Sequence, residues 1–388
     1  MPDGIVRRHD CGFGVRWFTA ILVVLALVTG GCGSADRGSK RTLSPEVYAD
    51  KLHGAWQATM LANESGIALQ GLWLDEPGPG TEIELLFPKQ WSTDDDTHVE
   101  WLDLHIMETF GIEPTYEQIR DEWVDNLNND IWVSTLRARE LMSTGVVPPQ
   151  TGAPELNPEG VWSIDAQLQT ELFGMIAPGL SGEARRRATY FARITNSGLA
   201  VEVSAFYAHL YSEAFMQSDI EWLLDRALRS ESVDSEVSKI VENVRRWHQE
   251  NQVDWRITRN LIRDAYDTDP EWWASRVNFA VTIMALLYGE SDLIATLNIA
   301  GLAGWDADNN MTTAAGLLGV IVGFEGLPES VKNSTDVYFN QDLIGGDLPE
   351  FDSVANIADR TRKIGELVIR SAGGTAADSG LVLPLQAP

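Results

Sequence analysis

Apolar residues recur three and four positions apart along most of the chain. PTYEQIRDEWVDNLN, IWVSTLRARELMSTG, LAVEVSAFYAHLYSEAF, DIEWLLDRALRS, DSEVSKIVENVRRWHQEN and WRITRNLIRDAY each carry such a stripe, which is the pattern of a helix with one buried face. No segment sustains the alternation of a half-buried strand. Ser44 before Pro45 reads as an N-cap followed by the first helical residue. In the run that follows, VYADKLHGAWQATMLANESGIAL, the small residues Gly54, Ala55, Ala58 and Ala62 let a second helix approach closely. Residues 72–90 are rich in Pro, Gly and Glu and read as a loop. The next helix opens at Thr93–Asp96 and carries Val99, Leu102, Ile106 and Phe110 on one face. Breaks fall at 145–158 and at the TDP of 268–270. Further on, ALLYGESDLIATLNIAGLAGWDADNN reads as two apolar helices divided by GES. MTTAAGLLGVIVGFEGLPE follows, with Gly316, Gly319 and Gly323, and reads as a helix packed in the interior. No repeat and no linker interrupts this span. The expected architecture is all-α, a single compact multi-helix domain over residues 44–372.

The ends are different in kind. Arg7, Arg8 and Arg16 precede the apolar run WFTAILVVLALVTG, which is short for a membrane span of roughly 20 residues. TGGC then brings small residues up to Cys32. This resembles a bacterial lipoprotein signal, in which the cysteine is lipidated and becomes the new N-terminus. Thr29 stands where leucine is usual, and an ordinary signal peptide or a short anchor is the alternative. The expected layout is a lipoprotein signal peptide over 1–31, a tether over 32–43 and a disordered tail over 373–388. The protein is then exported and lipid-anchored at the bacterial cell envelope. Cys11 would be removed and Cys32 lipidated, and the chain has no other cysteine. Catalytic cysteine and cysteine-ligated zinc are therefore excluded.

Composition adds one exclusion. Of the 388 residues, 44% are hydrophobic and 22% charged, and 14 are tryptophan, enough for a large core. The net charge of -28 argues against nucleic acid, because phosphate contacts need clustered Lys and Arg.

Two acidic clusters carry the chemistry. Asp94, Asp95 and Asp96 stand between Thr93 and Thr97. Asp306 and Asp308 stand in GWDADNN, followed by Asn309 and Asn310. Carboxylate, hydroxyl and amide oxygens are the ligands of hard divalent cations. Brought together, the clusters could hold a binuclear centre that orients substrate and activates water. The plain alternative for the first is an N-cap with solvated charge. DADNN also imitates the start of an EF-hand, but Met311 stands where its glycine belongs and Leu317 where its glutamate belongs. Asp306 and Asp308 lie between apolar segments, where uncompensated charge is costly, so partners or metal are expected. His98 is either a substrate ligand beside the aspartates or a surface histidine. The segment 164–174 either lends polar groups to a cleft or forms a partly buried helix, and Asn196–Gly198 form a loop that could face the site. No G-x-S-x-G elbow, Walker loop or H-E-x-x-H helix is present.

In order, a small-residue helix, a D-D-T motif opening a later helix and a G-x-D-x-D motif entering a glycine-rich helix resemble the ADP-ribosylglycohydrolase family. That family includes dinitrogenase-reductase-activating glycohydrolase and the ADP-ribosyl-acceptor hydrolases. The resemblance spans most of 47–372 and is specific in the two aspartate motifs. It implies an all-helical fold and two Mg²⁺ ions, which bind ribose hydroxyls and help cleave the glycosidic bond at the anomeric carbon. Asp95, Asp96 and Thr97 fit the first motif, with Asp94 where the family has Thr or Ser. A one-residue shift would use Thr93, Asp94 and Asp95, but the first register places Val99 at the family's apolar position. Asp306 and Asp308 fit the second motif, and Asn309 replaces its Thr or Ser. The implied metal ligands are Asp94, Asp95, Asp96, Asp306, Asp308 and Asn309.

The early family motif, G-D-x-x-G with a glutamate four residues on, reads Ala62-Asn63-Glu64-Ser65-Gly66 with Gln70 at the glutamate position. Gln70 cannot act as a general base, so Asp94 or Glu64 is the expected proton-handling residue. The expectation is a Mg²⁺-dependent hydrolase acting on an N- or O-glycosidic bond of an ADP-ribosyl or related ribosyl substrate. Its partners are that substrate and, through the lipid, a membrane. The competing expectations are an exported metal- and ADP-ribose-binding protein without turnover, and a Ca²⁺-stabilised helical bundle.

Overall fold

The computed structural model describes residues 41–385 except 129, 130, 170, 341–343, 347 and 378. Cys32, the signal segment and most of the expected tether lie outside the described residues. Among those described, no helix is long and apolar enough to cross a membrane.

The helices run in chain order. The first part of the chain holds α1 (Pro45–Gly66), α2 (Asp95–Phe110), α3 (Tyr116–Asn126), α4 (Val133–Ser143), α5 (Glu171–Met175) and α6 (Ser181–Ala192). Then come α7 (Leu199–Ala214), α8 (Ile220–Leu228), α9 (Glu236–Glu250), α10 (Trp255–Tyr266) and α11 (Ser275–Tyr288). The last are α12 (Leu293–Ala303), α13 (Ala307–Val322), α14 (Glu329–Lys332) and α15 (Val354–Ser371). The all-α expectation holds, and the stretch 72–90 is a loop.

The centre is the pair α1 and α13. Ser44 Oγ caps α1 by accepting from the Val47 N–H at 3.1 Å, and Pro45 opens the helix. The two helices cross backbone to backbone. A side chain on Gly319 would lie 2.3 Å from the Gly54 carbonyl oxygen, so only glycine fits there. Around this pair pack α7, α11, α12 and α15. Most residues of α12 and α13 are buried, as expected of helices apolar on all sides. The outer α9 instead buries one stripe, Val237, Ile240, Val241, Val244 and Trp247. Each such aliphatic side chain contributes about 1.5–3 kcal/mol when fully buried.

The ends of the described chain depart from expectation. Strand β1 (Arg41–Leu43) pairs antiparallel with β5 (Gly380–Leu383), and β5 pairs with β4 (Thr375–Ala377). Within the expected tether residues 41–43 form a strand, and within the expected tail residues 375–377 and 380–383 do. The reason is burial: Leu43, Leu381 and Leu383 all enter the core. Arg41 also pairs with buried Glu213 at 2.7 Å. Strands of three or four residues are too short to show a period in sequence. A second ribbon joins β2 (Val337–Phe339) to β3 (Phe351–Ser353), and Trp91 bridges to Tyr338 of β2 just before the aspartate run.

Candidate active site

Two helix starts converge on one pocket. Asp94 precedes α2 and Asp306 precedes α13, yet neither side chain caps its own helix. The Asp94 carboxylate instead accepts from Asn63 Nδ2 at 2.8 Å and from Gln70 Nε2 at 3.2 Å. Asn63 sits near the end of α1, whose last residue, Gly66, admits the second turn. A side chain on Gly66 would lie 2.3 Å from the Asp308 Cα. The result is that oxygens of Asp94, Asp96 and Asp308 all lie within 4.8 Å of one another. Clusters distant in sequence meet in space, each at the positive end of a helix dipole.

The carboxylates are tied by amides. Asp96 accepts from Asn309 Nδ2 at 3.0 Å and from Asn63 Nδ2 at 3.4 Å. Gln70 Nε2 donates to Asp308 as well as to Asp94. Asp308 Oδ1 and Asn309 Oδ1 remain buried without a hydrogen-bond partner. The second turn is held through its backbone: the Asp306 N–H donates to Asn278 Oδ1 at 3.0 Å, which also accepts from Asn310 Nδ2 at 2.9 Å. Thr282 Oγ1 donates to Asn310 at 3.1 Å. Trp305 enters this turn with φ of 58°, a left-handed conformation that is strained for an aromatic residue.

Burial, then the neighbouring carboxylates, holds Asp95, Asp96 and Asp306 well above the usual carboxylate range. Burial and the Asp94 charge push Asp308 up to about 7, against hydrogen bonds from Asp306 and Gln70. Crowded, desolvated carboxylates with unpartnered oxygens match the donor set of a hard divalent cation. The residues present thus fit the metal that the motifs imply.

The cavity above them measures about 490 Å³, in the range of small-molecule sites. Asp95 and Asp306 line it beside the triad. Trp132, Trp272 and Trp273 form an aromatic wall, and the last two meet edge to face with centroids 4.9 Å apart. Val133 at this rim has φ of 46°, rare for a β-branched residue.

The segment 164–174 lends the cavity one carboxylate, as the first of its two readings has it. Asp165 lies on the wall, its Oδ1 accepting from the Thr135 N–H at 2.8 Å and from Thr135 Oγ1 at 2.9 Å. Its Oδ2 is buried without a partner. The sequence offers only a lone aspartate in a short 3₁₀ turn, Asp165–Gln169, and no motif marks it.

Other expected residues fall elsewhere. Glu64 accepts from the Ser92 N–H at 3.1 Å and does not line the cavity. His98 is fully buried, with Nδ1 2.6 Å from the Asp94 carbonyl oxygen and its ring against Tyr338, so it is not a surface histidine. Asn196 does not line the cavity. It braces the turn carrying Asp165, accepting from the Ala166 N–H at 3.0 Å and donating to the Ser163 carbonyl at 2.9 Å.

This fold and site point to a glycohydrolase. Residues 44–365 match the family model described as ADP-ribosylglycohydrolase, and the chain belongs to that family. A solved structure described as an ADP-ribosylglycohydrolase-related protein complex is similar to it, with a TM-score of 0.59 and 17% identity over 82% of this chain and 99% of that one. At that identity the likeness is one of fold. No curated protein sequence matches the chain.

Proposed function

We propose that the protein is a Mg²⁺-dependent hydrolase, cleaving an N- or O-glycosidic bond of an ADP-ribosyl or related ribosyl substrate. We further propose that it is exported and anchored by lipid on Cys32. The observation that carries the catalytic reading is the Asp94, Asp96 and Asp308 triad, with Asp308 Oδ1 left unpartnered inside it. These three residues, with Asp95, Asp306 and the side-chain amide oxygen of Asn309, would hold two ions. Bound there, the ions supply positive charge that binds vicinal ribose hydroxyls and makes water a better nucleophile.

Hydrolysis joins a water oxygen to the anomeric carbon as the bond to the leaving nitrogen or oxygen breaks. One water proton stays on the sugar hydroxyl, and the other ends on the leaving group. Asp94 is the triad's half-buried member and is placed to take the water proton. Of the two candidates, Glu64 lies off the cavity wall, which favours Asp94 as the base. Gln70, bonded to both Asp94 and Asp308, positions those carboxylates and carries no proton.

That glutamine also favours a second reading, a metal- and ADP-ribose-binding protein without turnover. The test is hydrolysis of ADP-ribosyl-arginine, ADP-ribosyl-serine and simple ribosides, with Mg²⁺ and after chelation, beside calorimetric binding of ADP-ribose. Mg²⁺-dependent turnover that is lost in Asp96→Ala and Asp308→Ala supports the enzyme. Mg²⁺-dependent binding without any turnover supports the second reading. Neither binding nor turnover in the folded protein rules out both.

A further inference from the structure

Arg259, on α10, is fully buried, and all its acceptors among the described residues are carbonyl oxygens rather than carboxylates. Its guanidinium donates to the backbone carbonyls of Ala303 and Asp75 at 3.0 Å, of Leu74 at 2.8 Å and of Trp73. It also lies 4.0 Å from the centre of the Trp305 ring. We infer that Arg259 is a positioning residue for the metal site: it clamps the loop that follows Gln70 onto the turn that precedes Asp306. That role rests on the metal-dependent reading above and extends the site to a residue outside the cavity.

The two segments need a clamp because their junction is strained. Trp73 has φ of 52° and Trp305 φ of 58°, both left-handed and costly for an aromatic residue. Between them the backbones touch. A side chain on Gly304 would lie 2.5 Å from the Trp73 carbonyl oxygen and 2.6 Å from that of Leu72. The Gly71 N–H donates to the Trp305 carbonyl at 2.9 Å, and the Gly78 N–H to that of Leu302 at 2.8 Å. Four further carbonyl oxygens converge on Arg259, and their partial negative charges repel unless donors separate them. A guanidinium spreads five N–H groups in one plane and offers a flat face to an indole, and here each N–H has an acceptor, the fifth being Asn260 Oδ1. Burial, then the Arg263 charge, lowers the guanidinium to about 10, so it remains a cation at neutral pH. The hydrogen bonds and the Trp305 ring offset the cost of burying that charge.

Both clamped segments adjoin the site. Gln70, joined to Gly71, donates to Asp94 and Asp308. Trp305 is followed by Asp306, whose N–H is held by Asn278. Helix α10 packs on α11 and α12, so the guanidinium is presented from a fixed scaffold. Arg259 touches neither substrate nor metal and acts only through these neighbours. Without the clamp the strained turn relaxes, and the Asp306 and Asp308 carboxylates are in place for only a fraction of the time. Mg²⁺ affinity falls by that fraction.

The experiment uses the full chain, Arg259→Lys, the milder Trp305→Phe, and Leu383→Ala as a core truncation in β5. Mg²⁺ binding is measured by calorimetry, and amide hydrogen exchange of the metal-free proteins by mass spectrometry. Arg259→Lys keeps the charge but loses the planar fork. It should bind Mg²⁺ at least about tenfold more weakly, the low end for a partner that acts through another residue. Its amides over 71–78 and 302–306 should exchange at least about tenfold faster, as expected of a local opening. Trp305→Phe, with a weaker ring under the guanidinium, should lose about threefold in Mg²⁺ affinity and loosen 71–78 as well. Leu383→Ala, compared where all four proteins are folded, should leave both quantities within about twofold. Parent-like Mg²⁺ affinity in Arg259→Lys overturns the inference and leaves the metal reading intact. An equal loss in Leu383→Ala also overturns it, because Arg259 is then only a stabilising core residue. Should Arg259→Lys not fold, Trp305→Phe decides: unchanged affinity and unchanged exchange over 71–78 overturn the clamp. No Mg²⁺ binding by the folded parent protein overturns the metal reading and this role together.

Discussion

The two aspartate turns that meet in the pocket are built by different means. Both have a backbone N–H held by an asparagine, Asp94 by Asn63 Oδ1 at 3.1 Å, but in the first, Asp94–Asp96, Asn63 and Gln70 also reach two carboxylates from the end of α1 and the residues just beyond it. The second, Asp306–Asp308, is held by its backbone and its neighbours through Asn278, Asn310 and Thr282. This frees Asp308 Oδ1, while both oxygens of Asp94 are engaged. A carboxylate with one oxygen left open, as in Asp308, can take a metal while keeping its bond to Gln70, whereas one with both oxygens engaged, as in Asp94, must exchange hydrogen bonds to bind metal. On this view the second turn is the template and the first is the adjustable partner.

The strongest way to break this comparison is to remove one carboxylate from each turn. Asp308→Ala and Asp96→Ala should each lower hydrolysis by at least about 100-fold, beyond the upper end of losing an outer-shell partner. Both should abolish Mg²⁺ binding in calorimetry. Mg²⁺ binding retained in Asp308→Ala would remove the second turn from the metal site.

A smaller effect tests the template itself. Asn278→Ala strips support from the Asp306 N–H and from Asn310 without touching a carboxylate. Mg²⁺ affinity should fall about 10- to 100-fold, and stability by about 1–3 kcal/mol from the buried groups left unpaired. Unchanged affinity in a destabilised protein would mean that the turn needs no bracing.

Gln70→Glu tests the adjustable partner. It exchanges two amide donations for a further carboxylate beside Asp94 and Asp308. Mg²⁺ should bind about tenfold tighter, and the metal-free protein should lose about 1–3 kcal/mol through lost hydrogen bonds and added repulsion. Chemical denaturation with and without Mg²⁺ reads both quantities. A stabilised metal-free variant would contradict the crowding described above.

How far these features could be read from sequence follows from their range. The helices were legible because a period of three to four is written locally, as in the α9 stripe from Val237 to Trp247. The α1–α13 crossing was foreshadowed by Gly54 and Gly319, since small residues on both partners mark close approach. The aspartate motifs were legible as types, but their convergence depends on Gly66 meeting Asp308, which no local pattern encodes. Asp165 was legible only as part of the polar segment 164–174, because its setting comes from Thr135 and Asn196, both distant in sequence. The burial of His98 went unread because its partners are a carbonyl and the ring of Tyr338.

The last test concerns protons in place of metal. In the metal-free protein Asp308 titrates at about 7, raised by burial and by Asp94 from an ordinary value of 3.8. Between those two values the native state holds a proton that the unfolded chain has released. Stability therefore falls as pH rises from about 4 to about 7 and levels off above, with a slope of at most about 1.4 kcal/mol per unit for this group. Asp95, Asp96 and Asp306 are shifted in the same direction and add to the effect. Glu213 opposes it: burial raises its carboxyl, but Arg41 and Arg226 outweigh burial and hold it below its usual value of 4.5, so its contribution is lost only at lower pH. Buried Glu100 and Asp103 are shifted upward like the aspartates, while His209, lowered by burial to about 4, opposes them up to about pH 6.5, so above that the carboxylates decide the sign. The melting temperature of the chelated protein should drop by a few degrees between pH 6.5 and pH 8. Mg²⁺ at pH 8 should restore it, because the ion binds the native state and competes with the same protons. Asp308→Asn should make the chelated profile shallower, with the remaining slope carried by the other raised carboxylates. A profile that rises with pH in the chelated protein would show that the two turns do not repel, and that they need no cation to coexist.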